Sequence, residues 1–252
     1  MIKKINYNFN RTKTIFNSIK FKSIFLLCIF CTLISSFNVP SNLMFENAIM
    51  YNISTSLYQF LLFFTLFLSS VFAMNIINKD YSSFLRFKGK KEYLISLFQS
   101  ITIINAVTYI IYSIFGLVFV ILKYNGNISF IKFDYYSIPY FIFNIYLYLK
   151  YFCIFNLLIM ITILIYKNIN KILGSIVGIA ICVVKENYIY SIDQVQSIEN
   201  IHLFYGYYLY PFEYSNFPLD LCAFFLQCIL LLTIYESIKY LNIKYNRISM
   251  EE

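Results

Sequence analysis

Residues 56–77 hold no charged side chain, and five further stretches of this chain are almost as apolar. A helix needs about 20 residues to cross the hydrocarbon core of a bilayer. Inside lipid, every backbone N–H and C=O must find a partner within the helix or in a closed barrel. Long apolar runs therefore constrain the fold more than anything else in the sequence. They occupy residues 23–39, 56–77, 93–122, 138–166, 172–184 and 219–238. Composition agrees: 60% of residues are hydrophobic and 13% charged, whereas soluble domains average about 25% charged. The expected fold is an all-α polytopic membrane protein with six transmembrane helices.

Two runs need closer reading. The fourth is interrupted by Lys150. Counting back about 20 residues from Tyr166 puts Lys150 near the outer end, with its ammonium snorkelling to the interface; contact with a substrate is the alternative reading. Residues 138–146 then form a Tyr-rich approach. Tyr135, Tyr136, Tyr140, Tyr146, Tyr148 and Tyr151 suit an aromatic belt. The fifth run is short for a core of roughly 30 Å and is lengthened at both ends by polar residues. It carries Gly174 and Gly178, whose spacing places two bare backbone patches on one helix face. They serve helix packing within the chain or a dimer seam; spacing leaves both open.

Charge fixes the expected orientation. Sixteen of the 20 Lys and Arg fall in the arm 1–22, the stretch 79–91, the pair Lys167 and Lys171, and the tail after Ile238. All lie on one side if six helices alternate. The other side keeps Lys123, Lys132, Lys185 and Lys150. By the positive-inside rule both termini are cytoplasmic. The organisation is then a cytoplasmic amphipathic arm (1–22), a transmembrane domain (23–238) and a cytoplasmic tail (239–252). The outer loop 185–218 turns from acidic to "LFYGYYLYPFEY" (203–214). So many aromatics fit a re-entrant segment before the sixth helix, since non-spanning backbone at depth needs protein cover.

The sequence offers little chemistry. A formal charge of +8 spread between apolar runs is not the single basic face of a nucleic-acid binder. No G-x-x-x-x-G-K-[ST], G-x-S-x-G or H-E-x-x-H occurs. The six cysteines sit in apolar runs and read as small hydrophobes; Cys28 and Cys31 form C-x-x-C, without the further ligands a zinc site requires. The lone His202 reads as a surface histidine of the outer loop. Asn105, Asn156 and Gln227 are the amides expected within the membrane, where bonding between helices is the default and lining a path the alternative. No acid lies in mid-membrane, so ion-driven coupling has no evident carrier. No cofactor and no enzymatic activity are expected.

Residues 78–97, "NKDYSSFLRFKGKKEYLISL", combine charge, an apolar patch, a basic pair and the start of the third helix. This stretch, with the arm, the six runs, inward termini and large outer loop, resembles the membrane subunit of ABC-2 type transporters, bacterial exporter-like permeases. The resemblance covers the whole layout, while the motif is short. It implies a plasma-membrane permease powered by a separate ATP-binding cassette ATPase subunit and paired with a second permease chain, the same or different. It implies export or clearance of an amphipathic compound such as a peptide antibiotic or lipid. Phe84, Leu85 and Phe87 would be apolar anchors of an ATPase-docking loop, with Arg86 and Lys88 at its rim. Lipid headgroup binding is the competing explanation of those charges. The rival for the whole chain is a non-transporting membrane protein, such as a bacteriocin immunity factor or a scaffold.

Overall fold

The computed structural model describes residues 13, 15–39, 49, 52–53, 56–79, 90–124, 132–133, 138–168, 172–180 and 217–248. Its helices are α1 (Ile19–Phe37), α2 (Ser56–Lys79), α3 (Lys90–Tyr124), α4 (Tyr140–Asn168), α5 (172–180) and α6 (Phe217–Ile248). Apart from turns flanking α1, the described residues depart from helix in a two-residue ladder. There β1 (Lys132–Phe133) pairs antiparallel with β2 (Ile138–Pro139) at the head of α4.

Local chemistry sets several boundaries. Ser18 caps α1, its hydroxyl accepting from the Phe21 N–H at 3.3 Å. Glu92 occupies the first turn of α3 and Lys123 its last, matching the helix dipole at both ends. Pro218 falls in the opening turn of α6, where a missing N–H costs nothing. Within the apolar stretches, hydroxyls donate back along their own helix. Thr65 bonds the Leu62 carbonyl at 2.8 Å, Thr108 the Ile104 carbonyl at 2.9 Å and Thr162 the Leu158 carbonyl at 2.6 Å. Such bonds let a hydroxyl sit among apolar side chains without water.

Among the described residues, four helices are long and apolar enough to cross a membrane, with spans Leu57–Ile77, Ile95–Lys123, Ile142–Lys167 and Phe224–Leu241. Phe21–Phe37 is a shorter apolar helix. The chain is a helical membrane protein. Side-chain contacts give the helix directions. Lys123, ending α3, reaches the carbonyls that end α1. Lys167, ending α4, lies 4.5 Å from the ring of Tyr93, which begins α3. Tyr146 and Phe224, both early in their helices, meet edge to face at 6.2 Å. Phe98 near the start of α3 meets Tyr235 far along α6. So α1 and α3 run one way, and α4 and α6 the other. Tyr58, early in α2, meets Tyr112, late in α3, which sets α2 parallel to α4 and α6.

The core lies between α1, α2, α3 and α4. Tyr58 and Tyr112 stand edge to face at 5.0 Å, and the Tyr112 hydroxyl donates to the Tyr58 carbonyl at 3.3 Å. Gly116 makes that approach possible: a Cβ there would come within 3.1 Å of the Tyr58 ring. By contrast, α6 rests mainly along α4. Its apolar window is 11% buried, against 56% for α2 and α4.

The expected docking segment Phe84–Lys88, the outer loop 185–216 with His202, and arm residues 1–12 lie outside the described residues.

Candidate functional site

Three groups of polar side chains among the described residues are each built by a different demand of a water-free interior. The first is a layer at mid-length. The Ser70 hydroxyl on α2 donates to Asn105 Oδ1 on α3 at 2.6 Å, and Asn105 Nδ2 donates to Asn156 Oδ1 on α4 at 3.0 Å. Ser69 gives its proton to the Leu66 carbonyl at 2.8 Å and stands 3.4 Å from the same Asn105 oxygen. Asn105 is completely buried. One amide thus ties three helices in register. Interhelical hydrogen bonds in membranes average about 0.6 kcal/mol, so the layer specifies which residues face each other more than it stabilises.

The second is the far end of α1. Lys123 Nζ donates to the carbonyls of Val39 at 2.6 Å, Phe37 at 3.1 Å and Ser36 at 3.3 Å. These are among the carbonyls that a helix leaves without intrahelical partners. A cation at that end also complements the helix dipole.

The third lies along α4 and α6. Lys150 was expected to snorkel, but it is 1% exposed. The reason is the helix start. Because α4 begins at Tyr140, Lys150 lies about 15 Å along it, too deep for its stem to reach the end. Its ammonium stays inside, 5.8 Å from the Tyr146 ring centroid. Translocation scales put a buried lysine near a helix centre at roughly +2.5 to +3.5 kcal/mol. Tyr151, assigned to the aromatic belt, is likewise core: it is buried and stacks on Phe155 at 6.0 Å. The residues between 140 and 146 are helix and no separate approach.

On α6, Gln227 is 5% exposed, and neither atom of its amide has a hydrogen-bond partner among the described residues. Each such group costs about 1–3 kcal/mol of lost solvation. Since α4 and α6 run parallel with Tyr146 against Phe224, one turn further along brings Lys150 and Gln227 to the same level.

Of the sequence-predicted residues, the structure brings Asn105 and Asn156 together and leaves Gln227 apart from them. Gly174 faces the backbone of Tyr166, and a Cβ at Gly178 would stand 3.1 Å from the ring of Phe67. The face carrying both glycines is thus turned towards α4 and α2, while Ile172, Leu173, Ile176 and Ile179 of α5 are exposed. Cys28, Cys31, Cys153, Cys222 and Cys228 are free thiols. Sequence reasoning missed the tyrosine cluster: Tyr109 donates its hydroxyl to the Tyr148 carbonyl at 2.7 Å, linking α3 to α4. A buried aromatic with a polar tip on an otherwise apolar helix was the signal for it.

No family model, no curated protein and no solved structure matches this chain.

Proposed function

We propose that the chain is the membrane-spanning permease subunit of an ABC-2 type transporter. It spans the bacterial plasma membrane six times, with α1 and α5 as the two short spans and both termini cytoplasmic. A separate ATP-binding cassette subunit supplies the energy, and a second permease chain completes the assembly. The chain itself carries no catalysis; it exports or clears an amphipathic compound such as a peptide antibiotic or lipid.

The observation that supports this most is where the basic residues fall on the bundle. Lys79 at the end of α2, Lys90 and Lys91 opening α3, Lys167 ending α4 and Lys239 on the last turns of α6 share one end. In sequence, Phe84–Lys88 lies between Lys79 and Lys90, the residues that close α2 and open α3. Of the cations assigned to the other face, Lys123 is engaged on α1's carbonyls and Lys150 is buried, so neither is a freely solvated loop charge that would oppose the orientation. The cationic end is where a nucleotide-hydrolysing partner would dock, with Phe84, Leu85 and Phe87 as anchors and Arg86 and Lys88 at the rim.

Co-purification tests it. The chain should carry an ATPase subunit with it from the membrane, and Phe84→Asp with Phe87→Asp should release that subunit while insertion is kept. A double variant that retains its partner at full yield would overturn the docking assignment. A chain that brings no ATPase at all would favour an immunity factor or scaffold.

A further inference from the structure

We infer that the seam between α4 and α6 is a binding site for the anionic head of a lipid-like amphiphile, a carboxylate or phosphate on an acyl chain. Lys150 supplies the charge and Gln227 the hydrogen bonds. The inference deepens the permease reading and rests on it for the identity of the cargo; the site itself can be tested alone.

Three observations carry it. Gln227 is buried with both ends of its amide unpartnered among the described residues, so the seam holds donor and acceptor capacity that the chain does not use. At the same level of the parallel helix, Lys150 is 1% exposed, so a basic side chain lies at the same depth as the Gln227 amide. The acid nearest to Gln227 along α6 is Asp220, about 10 Å away by helix rise. Finally, the immediate neighbours of the two residues, Leu149 and Leu226, are exposed apolar side chains, as are Ile145 and Ile229. The polar pair thus lies one residue inside a lipid-facing surface. A head group entering sideways from the bilayer would reach it while its acyl chain stayed against that surface. With so little of α6 buried, this helix has the least to lose by moving aside.

The experiment uses the full chain in a neutral maltoside detergent. Equilibrium binding of radiolabelled lysophosphatidylglycerol is compared with lysophosphatidylcholine of the same acyl length, and inorganic phosphate is added as a competitor. The expected result is saturable binding of the anionic probe, about ten-fold or more tighter than the zwitterionic one, as charge-assisted hydrogen bonds imply. Phosphate alone should not compete. Lys150→Met should remove the head-group preference, Lys150→Arg should keep most of it, and Gln227→Leu should weaken it several-fold. Equal binding of the two probes by the unaltered chain overturns the site, whatever the variants do. So does a preference that survives Lys150→Met, or displacement by free phosphate, which would leave an inorganic-anion site. Measured on the same material, ATPase co-purification separates the two readings. Lost head-group preference with the ATPase retained sinks the site alone; the reverse sinks the permease assignment alone.

Discussion

Among the described residues, Asn105 is where side chains of three helices meet by hydrogen bonds. Its oxygen accepts from Ser70 and its nitrogen donates to Asn156, so one side chain serves three helices. Replacing it with leucine removes both bonds and strands the two partners. The expected loss is about 1–3 kcal/mol, read as a lower midpoint of unfolding in mixed detergent micelles. A double-mutant cycle of Asn105→Ala with Asn156→Ala should return a coupling of about 0.6–1.7 kcal/mol; zero coupling would mean the amides do not bond. At this scale the sequence is a poor guide to partners. It marked Asn105, Asn156 and Gln227 as interior amides, yet nothing in their spacing along the chain tells that the first two meet and the third does not. Lys150 was misplaced for a related reason. Its depth depends on where α4 starts, and a tyrosine-rich beginning reads equally as interface or as helix.

The helices themselves were far more legible, because length and uninterrupted hydrophobicity are what a lipid interior demands. The run 56–77 becomes α2, and 93–122 becomes the middle of α3. Which face of each turns inward was not legible. A helix that is apolar on every side carries no moment to read. The glycines of α5 show what decides it. A Cβ on Gly174 would overlap the backbone of Tyr166, which cannot give way, whereas one on Gly178 would press a phenyl ring that can shift slightly. Gly174→Ala should therefore sharply reduce the yield of folded protein, and Gly178→Ala should cost about 1 kcal/mol or less in the same unfolding assay. If Gly174→Ala instead leaves folding intact and abolishes cross-linking between two copies, the glycine face is a dimer seam. Lys123 marks the other end of the problem. As an expected loop charge it carried no structural meaning, but as the partner of the Ser36, Phe37 and Val39 carbonyls at and just beyond the end of α1 it joins two elements remote in sequence.

For the whole molecule, the decisive quantity is which side of the membrane each end occupies. Alternation of α1 to α4 together with the gathering of basic residues leads to a direct expectation. A cysteine placed at Ser82, in a chain lacking its own cysteines, should react with a membrane-impermeant maleimide only after the cells are opened. A cysteine at Asn125, just beyond α3, should react in intact cells. Labelling in the reverse order would invert the bundle and remove the cytoplasmic docking site with it.

At 35 residues, α3 is a rod of roughly 52 Å, longer than the oily layer is thick. One tip adjoins the segment where a motor would push, and the other grips the end of α1 through a lysine. A displacement delivered at the near tip would therefore be felt by its neighbour on the opposite surface, with no relay of loops between.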